Sequence, residues 1–307
     1  ILLAKRGITP EEKEIFLNPY YKRDLHDPFL MCDMEKACVR LYEAIDAGEK
    51  IIIYADYDCD GIPGAVILND LFVLIGYKNY ETYIPQRNSE GYGLNLEAIK
   101  QFADSGVKLL ITIDLGITAV AEVAQAEVDG IDVIITDHHL PIINQKASSQ
   151  ENFLGSSVLR GPSPRPDQLE NSLTTKALVL PRAYAILNPK VDDYPEKMLC
   201  GAGVVFKFAQ GFLKKYGEFY KIKEGAEKWM LDMAGLATLS DMVPLLGENR
   251  ALAYFGMKVL KKSPRPGVQK LLAKMNIDQR HLSPDDIGFM VTPRLNAASR
   301  MDNPMRA

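Results

Sequence analysis

The chain has 307 residues, 47% hydrophobic and 25% charged, with a formal net charge of −4. That is a globular mix, long enough for one large domain or two ordinary ones. No apolar run approaches the ~18 residues of a membrane span, no signal peptide is visible, and the acidic balance argues against broad, non-specific duplex binding.

In chain order, residues 1–46 read as a helical, polar-faced N-terminal extension. Within it, Thr9 caps a helix that has Pro10 at its first position. The chain opens on Ile1, so a natural N-terminus further upstream is expected. Residues 50–140 alternate strand and helix, which implies right-handed parallel βαβ units. Ile51-Ile52-Ile53 reads as a buried strand. A helix starting near Ile62 carries Ala65, Val66, Ile67, Leu68, Leu71 and Phe72, a face suited to packing on a sheet. Leu109–Ile113 and Ile131–Ile135 are two further strand-like runs.

The stretch 144–182 is rich in Ser, Gln, Asn and Pro and reads as an insertion, flexible rather than a partner site. Beyond Gly201 the pattern is mostly helical, with apolar or amphipathic stretches at Trp229–Leu239, Leu252–Leu260 and Val268–Met275. The expected fold is α/β: a mostly parallel sheet flanked by helices in a domain at 47–245, followed by a helical region at 246–307 leading to a further C-terminal part. Cys32, Cys38, Cys59 and Cys200 lack zinc-site spacing, so reduced thiols, no zinc and a cytoplasmic setting are expected.

Three of the strand runs end in groups that bind metals. Asp56, Asp58 and Asp60 alternate in Asp-Tyr-Asp-Cys-Asp-Gly after the first. Asp114 ends the second, and Asp137-His138-His139 ends the third. In a parallel sheet these ends share one edge, where open α/β sheets bind ligands. Acids this close repel one another unless cations neutralise them. Clustered carboxylates with imidazole suit Mn²⁺ or Mg²⁺. Each motif alone has a plainer reading: an acidic surface turn for the first, a surface or core pair for the histidines.

At these residues the chain resembles the DHH phosphoesterase superfamily and, within it, the RecJ family of single-strand-specific 5′ to 3′ DNA exonucleases. The resemblance continues through Leu25-His26-Asp27-Pro28-Phe29, Glu90-Gly91-Tyr92-Gly93, Ile186-Leu187-Asn188-Pro189, Gly201-Ala202-Gly203-Val204, Ser240-Asp241-Met242-Val243-Pro244 and Arg294-Leu295-Asn296-Ala297-Ala298-Ser299-Arg300. It implies two divalent cations. Asp60, Asp114, His138 and Asp241 would hold one, and Asp58, Asp114 and Asp56 the other. Asp241 could equally cap the next element. His139 is expected as a non-ligand near the phosphate, and Asp137 as the group that orients an imidazole.

Arg294, Asn296, Ser299 and Arg300 are expected as a compact phosphate-binding cluster, or else a solvated helix face. Arg87 and Tyr92 are further substrate candidates, Tyr92 stacking on a base or serving as a packing anchor. The chain departs from the family pattern at Pro63, Leu115 and Ser299, where Thr, Asn or Cys, and Gly are usual. The resemblance also implies a catalytic-core fragment or stand-alone core, because full-length members carry further domains.

The expected activity is phosphodiester hydrolysis of single-stranded DNA in repair and recombination. A single-strand-binding protein or a helicase is the expected partner. A small-substrate phosphoesterase and a non-catalytic DNA-binding scaffold are the competing readings.

Overall fold

The computed structural model describes residues 2–5, 7–143, 178–301 and 304–306. Most of the expected insertion, 144–177, lies outside the described residues. The chain runs through α1 (Leu2–Lys5), α2 (Lys13–Leu17), α3 (Tyr21–Asp24) and the longer α4 (Met34–Asp46). Strands β1 (Lys50–Ala55), β2 (Tyr80–Tyr83), β3 (Val107–Ile113) and β4 (Asp132–Thr136) then alternate with α5 (Gly61–Ile75), α6 (Leu96–Asp104) and α7 (Val120–Val128). A short antiparallel pair, β5 (Ile142–Ile143) and β6 (Leu178–Val179), precedes β7 (Ala185–Leu187). The remainder is helical: α8 (Gly201–Tyr216), α9 (Leu231–Ser240), α10 (Gly247–Leu260) and α11 (Pro266–Lys274). A last helix runs from α12 (Pro284–Asp286) through a π-helical turn at Ile287–Val291 into α13 (Thr292–Met301).

The main sheet has the order β2-β1-β3-β4-β7, and every neighbouring pair is parallel. This is the α/β architecture expected from the strand–helix alternation. Both faces are covered, so the strands read as continuous apolar runs rather than alternating ones. Ile51, Ile53 and Ala55 of β1 face one core, formed with α4, α5, α8 and α9. Ile52 and Tyr54 face the other, formed with α6 and α7. The chain leaves β1 for β2 and then crosses back to β3 on the other side of β1. The crevice beyond the carboxyl ends of β1 and β3 is therefore the topological switch point.

The first segment is less separate than its polar face suggests. Met34, Ala37, Cys38 and Leu41 of α4 are fully buried in the main core. Burying the two larger of these, Met34 and Leu41, stabilises by about 1.5–3 kcal/mol each. Thr9 and Glu12 exchange the reciprocal bonds of a capping box, at 2.9 and 3.2 Å, yet regular helix begins only at Lys13.

On the other flank, α9 and α10 cross with their backbones in contact. A Cβ on Gly235 would lie 2.6 Å from the Gly256 Cα, so both positions demand glycine. Among the described residues no helix is long and apolar enough to cross a membrane.

Candidate metal centre

Backbone ladder bonds set the positions of the acids. The Asp56 amide, just past β1, donates to Ile113 O at 3.1 Å; the Asp114 amide, just past β3, donates to Thr136 O at 2.9 Å; and the Asp137 amide, just past β4, donates to Leu187 O at 3.0 Å. Each acid thus takes the first position beyond its strand, and the parallel register delivers all three to one edge. Asp56, Asp60, Asp114 and Asp137 are at most 4% exposed.

The acidic loop turns directly into α5. Asp58 Oδ1 accepts the amides of Asp60 and Gly61 at 2.8 and 3.0 Å, which folds the loop and satisfies the first amide of α5. Gly61 is required there, since a Cβ would meet Asp56 O at 2.3 Å. Asp60 points away from α5 to the start of α8, where its two oxygens accept the amides of Gly201 and Ala202 at 2.6 and 2.7 Å. A helix N-terminus favours a carboxylate at this point.

Asp114 sits at φ 61°, a left-handed conformation unusual for a non-glycine residue. Gly201 packs against it: a Cβ there would lie 2.7 Å from both Asp114 Cβ and Oδ1. His138 Nε2 lies 3.1 Å from Asp114 Oδ1 and 3.7 Å from Asp60 Oδ2, and its Nδ1 lies 3.8 Å from Asp241 Oδ2. Three overlapping groups have ligand atoms within 4.8 Å of one another: Asp56, Asp58 and Asp114; Asp60, His138 and Asp241; and Asp114, His138 and His139.

The electrostatics of this cluster are unfavourable as they stand. Burial, then the Asp58 charge, pushes Asp56 up to about 7. Burial, then Asp58, pushes Asp241 up to about 6. Burial and neighbouring acids raise Asp60 and Asp114 as well. Burial lowers His138 to about 4, so its imidazole is neutral and available as a ligand.

Asp56 Oδ1 and Asp114 Oδ1 are buried with no hydrogen-bond partner. Unpaired buried carboxylate oxygens are costly, and cations bound between them would remove that cost. The donor set, five carboxylates and a neutral imidazole, fits hard or borderline divalent ions such as Mg²⁺ and Mn²⁺.

Asp137 differs from the other acids. Its Oδ2 accepts the Ile117 amide at 2.9 Å, and its Oδ1 accepts the amides of His138 and His139 at 2.7 and 3.0 Å. The same Oδ1 lies 2.8 Å from His139 Nδ1. These partners outweigh burial and hold Asp137 below the usual carboxylate range. His139 is raised in turn, chiefly by its bond to Asp137. The fully buried Asn188, part of the Ile186-Leu187-Asn188-Pro189 segment but given no role from the sequence, donates to His139 O at 2.9 Å.

The expected phosphate-binding cluster is divided by the helix. Asn296 Oδ1 accepts the Cys59 amide at 2.7 Å, so its carboxamide holds the acidic loop. Arg300 is exposed, lies about 40° further round the same helix, and is close enough to Tyr57 to lower its pKa, a smaller effect than the burial that raises it. Arg294 lies about 200° from Asn296 round the axis. It donates to Met290 O at 2.8 Å and lines an apolar groove with Ile62 and Pro63. Ser299 is 2% exposed, and its hydroxyl donates to Asn296 O at 3.1 Å.

The Arg87 guanidinium lies 5.4 Å from the centre of the Tyr57 ring. Tyr92 stands at the rim, its ring 6.3 Å from Tyr57 and 6.4 Å from His139, with its hydroxyl donating to Asp114 O at 3.4 Å.

Sequence reasoning missed the contacts that tie this loop to the C-terminal helices. Cys59 Sγ donates to Ser240 Oγ at 3.2 Å, and Ser240 Oγ lies 2.6 Å from Thr292 Oγ1. These residues are neither charged nor periodic, and they carry no local signal of the pairing. Gly201-Ala202, by contrast, lies in a segment quoted for the family resemblance, at the start of the part read as helical. Size does not mark the site: a cavity of about 1080 Å³ lies at the other end of α8, around Tyr21, Gln210 and Lys221.

Comparison with known proteins agrees with this geometry. The DHH family, N-terminal domain, matches residues 50–157. The chain is 36% identical over 305 residues to the single-stranded-DNA-specific exonuclease RecJ of Bacillus subtilis, covering 98% of this chain and 33% of that protein. It is 35% identical over 280 residues to the same-named protein of Escherichia coli, covering 88% of this chain and 42% of that one. The chain thus spans well under half the length of these relatives.

Among solved structures, an exonuclease RecJ bound to manganese superposes with a TM-score of 0.71 at 26% identity, covering 92% of this chain and 61% of that one. RecJ of Thermus thermophilus in complex with Mn²⁺ gives 0.66 at 25% identity, covering 97% and 38%. The motif residues converge at one sheet edge, residues 50–157 match the DHH family, N-terminal domain, and the chain is similar to RecJ proteins nearly end to end.

Proposed function

We propose that this chain is the catalytic part of a metal-dependent exonuclease that digests single-stranded DNA from 5′ to 3′ in repair and recombination. The observation that carries the proposal is the cluster of buried carboxylates and a neutral imidazole at the switch point, in which Asp56 Oδ1 and Asp114 Oδ1 accept no hydrogen bond although His138 Nε2 stands 3.1 Å from the latter. The similarity to proteins named single-stranded-DNA-specific exonucleases supports the choice of polymer, and the polarity is carried over from the family resemblance.

In this reading, Asp60, Asp114, His138 and Asp241 hold one divalent cation, and Asp56, Asp58 and Asp114 hold the other, with Mn²⁺ or Mg²⁺ as the ions. Bound there, two such ions lower the pKa of a water and neutralise charge on the attacking and leaving oxygens of a phosphodiester. Asp114 is shared between the two sets, and the missing side chain at Gly201 leaves room for its carboxylate. Asp137 holds the His139 ring by its Nδ1, which leaves Nε2 free to meet a phosphate oxygen or carry a proton. Arg87, over the Tyr57 ring, and Arg300, within electrostatic reach of Tyr57, supply charge for the strand, and Tyr92 supplies an aromatic face. A cytoplasmic setting and work alongside a single-strand-binding protein or helicase complete the proposal.

Digestion of 5′-labelled single strand, duplex and dinucleotide with Mn²⁺, and again with excess chelator, tests it. Mononucleotide release from the single strand, abolished by chelator, is the expected result. Preference for the dinucleotide would favour a small-substrate phosphoesterase. Undiminished activity in chelator would end the metal reading.

A further inference from the structure

The chain carries 40 acids in 307 residues, yet none lies between Arg250 and Ile277, a stretch that holds seven lysines and arginines. The first half of that stretch is α10. Arg250, Tyr254, Lys258 and Lys262 recur at intervals of four, which sets them in one stripe along the helix and just past its end. Tyr254 and Lys258 stand two residues either side of Gly256, about 200° from it round the axis. Gly256 is the contact with α9, so the stripe faces away from that helix. Lys258, Lys261 and Lys262 are all exposed.

Aromatic rings are interleaved with these cations. The Arg250 guanidinium lies 4.9 Å from the centre of the Phe16 ring, the Lys258 ammonium 4.1 Å from that of Tyr254, and the Lys262 ammonium 5.4 Å from that of Trp229. Trp229 is 54% exposed, a large aromatic surface left in water. The lysines held in ion pairs among the described residues are Lys22, Lys50, Lys207, Lys214 and Lys215, none of them in this stretch. Like charges spaced four apart on a helix repel, and a polyanion beside them would relieve that repulsion. The face is also remote from the acids: Trp229 precedes α9 and Asp241 follows it, so a helix about 15 Å long separates them.

We infer that this face of α10, together with Trp229, is a second contact surface for a single-stranded nucleic acid, apart from the metal centre. The phosphodiester supplies the missing negative charge, and the bases supply flat faces for Trp229 and Tyr254. Rings and cations exchange partners on binding. A base takes the ring face that a lysine now covers, and the freed ammonium takes a phosphate oxygen. A duplex, whose bases are turned inward, would use the charges and leave the rings idle, and so would an acidic peptide. The surface holds a strand without cutting it, so the inference stands or falls separately from the nuclease reading.

Trp229 is the single tryptophan of the chain, so its fluorescence reports on this face directly. The full chain is titrated with oligodeoxythymidylate in excess chelator, where nothing is digested and the bare acids repel a strand at the other site. Quenching of Trp229 that weakens as salt rises is the expected result. Lys258→Gln combined with Lys262→Gln should flatten the dependence of log affinity on log salt by about 1.4, the share of two phosphate contacts on a single strand. Both lysines are exposed, so the melting temperature should not move. Trp229→Ala, followed by the anisotropy of a labelled strand, should bind about tenfold more weakly, the scale of one base–aromatic contact.

No quenching in wild type, or an unchanged salt slope and affinity in these variants, would overturn the inference. Equal or tighter binding of a duplex or of polyglutamate, measured by competition, would show that the face reads charge alone and would overturn the single-strand assignment.

Discussion

Asn296 and Cys59 are 237 residues apart in the chain, and the Asn296 carboxamide accepts the Cys59 amide at 2.7 Å. The bond fixes the middle of the acidic loop to the C-terminal helix. Removing it leaves a buried amide unpaired, at a cost of about 1–3 kcal/mol. Asn296→Ala should therefore lower the melting temperature and weaken Mn²⁺ binding, and Asn296→Asp, which keeps the acceptor, should recover most of the stability. Melting scans and metal titration of both variants check this. Wild-type metal affinity in Asn296→Ala would show that the loop holds its shape without the helix.

Asp114 combines burial, neighbouring negative charge and left-handed backbone. Such features persist where function requires them. Asp114→Asn removes the buried charge while leaving the shape, and asparagine tolerates left-handed φ well. The metal-free variant should melt at or above the wild-type temperature near pH 8, while Mn²⁺ should no longer raise its melting temperature and activity should collapse. A clear loss of metal-free stability would contradict the assignment of strain to this charge.

The same electrostatics set a pH dependence. Asp56 and Asp241 titrate at about 7 and about 6 in the folded, metal-free chain, above the value of about 3.9 in an unfolded one. Between these values the folded state holds protons that the unfolded state has released. Their contribution to stability is thus fully present below about pH 4 and is lost as pH rises through the folded values. The metal-free protein should melt at a lower temperature at pH 8 than at pH 5, and Mn²⁺ should stabilise it more at pH 8. Chelated and Mn²⁺-loaded melting curves across this range provide the measurement, and a flat difference between them would argue against metal bound by these acids.

The division of the arginines gives a contrast between two variants. Arg300 lies near the acidic loop, whereas Arg294 turns to an apolar groove. Losing one charge-assisted phosphate contact costs about 1.5–3 kcal/mol, or roughly ten- to a hundredfold in affinity. Arg300→Ala should lose that much single-strand binding, with Arg300→Lys restoring only part because lysine lacks the planar fork. Arg294→Ala should lose much less. Equal losses in binding assays would restore the compact cluster that the motif suggests.

The legible parts of this protein are those in which a local pattern forces a long-range result. Ile51–Ile53, Leu109–Ile113 and Ile131–Ile135 are apolar because both sheet faces are covered, and parallel pairing then brings the acids that follow them to one edge. Asp241 was ambiguous, since an acid after a helix also reads as a cap; its oxygen lies 3.8 Å from His138 Nδ1. The bonds of Asp60 to the Gly201 and Ala202 amides and of Asn296 to Cys59 were not legible. They join distant segments through backbone donors, which every residue but proline possesses. Ser299, expected as a substrate contact, has its hydroxyl turned inward to Asn296 O, a local bond that its sequence neighbours do not announce.

The contact of Gly235 with Gly256 places a constraint on how this sequence can drift. Gly235 lies on α9, whose far end leads into Asp241, so the crossing of two bare backbones sets where that carboxylate stands. An alanine at either glycine must push the helices apart, and the displacement is carried toward the metal centre. Lineages that retain the reaction should therefore keep both glycines as strictly as the acids themselves, and a random-mutagenesis screen scored by activity should recover lesions at both, far from any reacting atom.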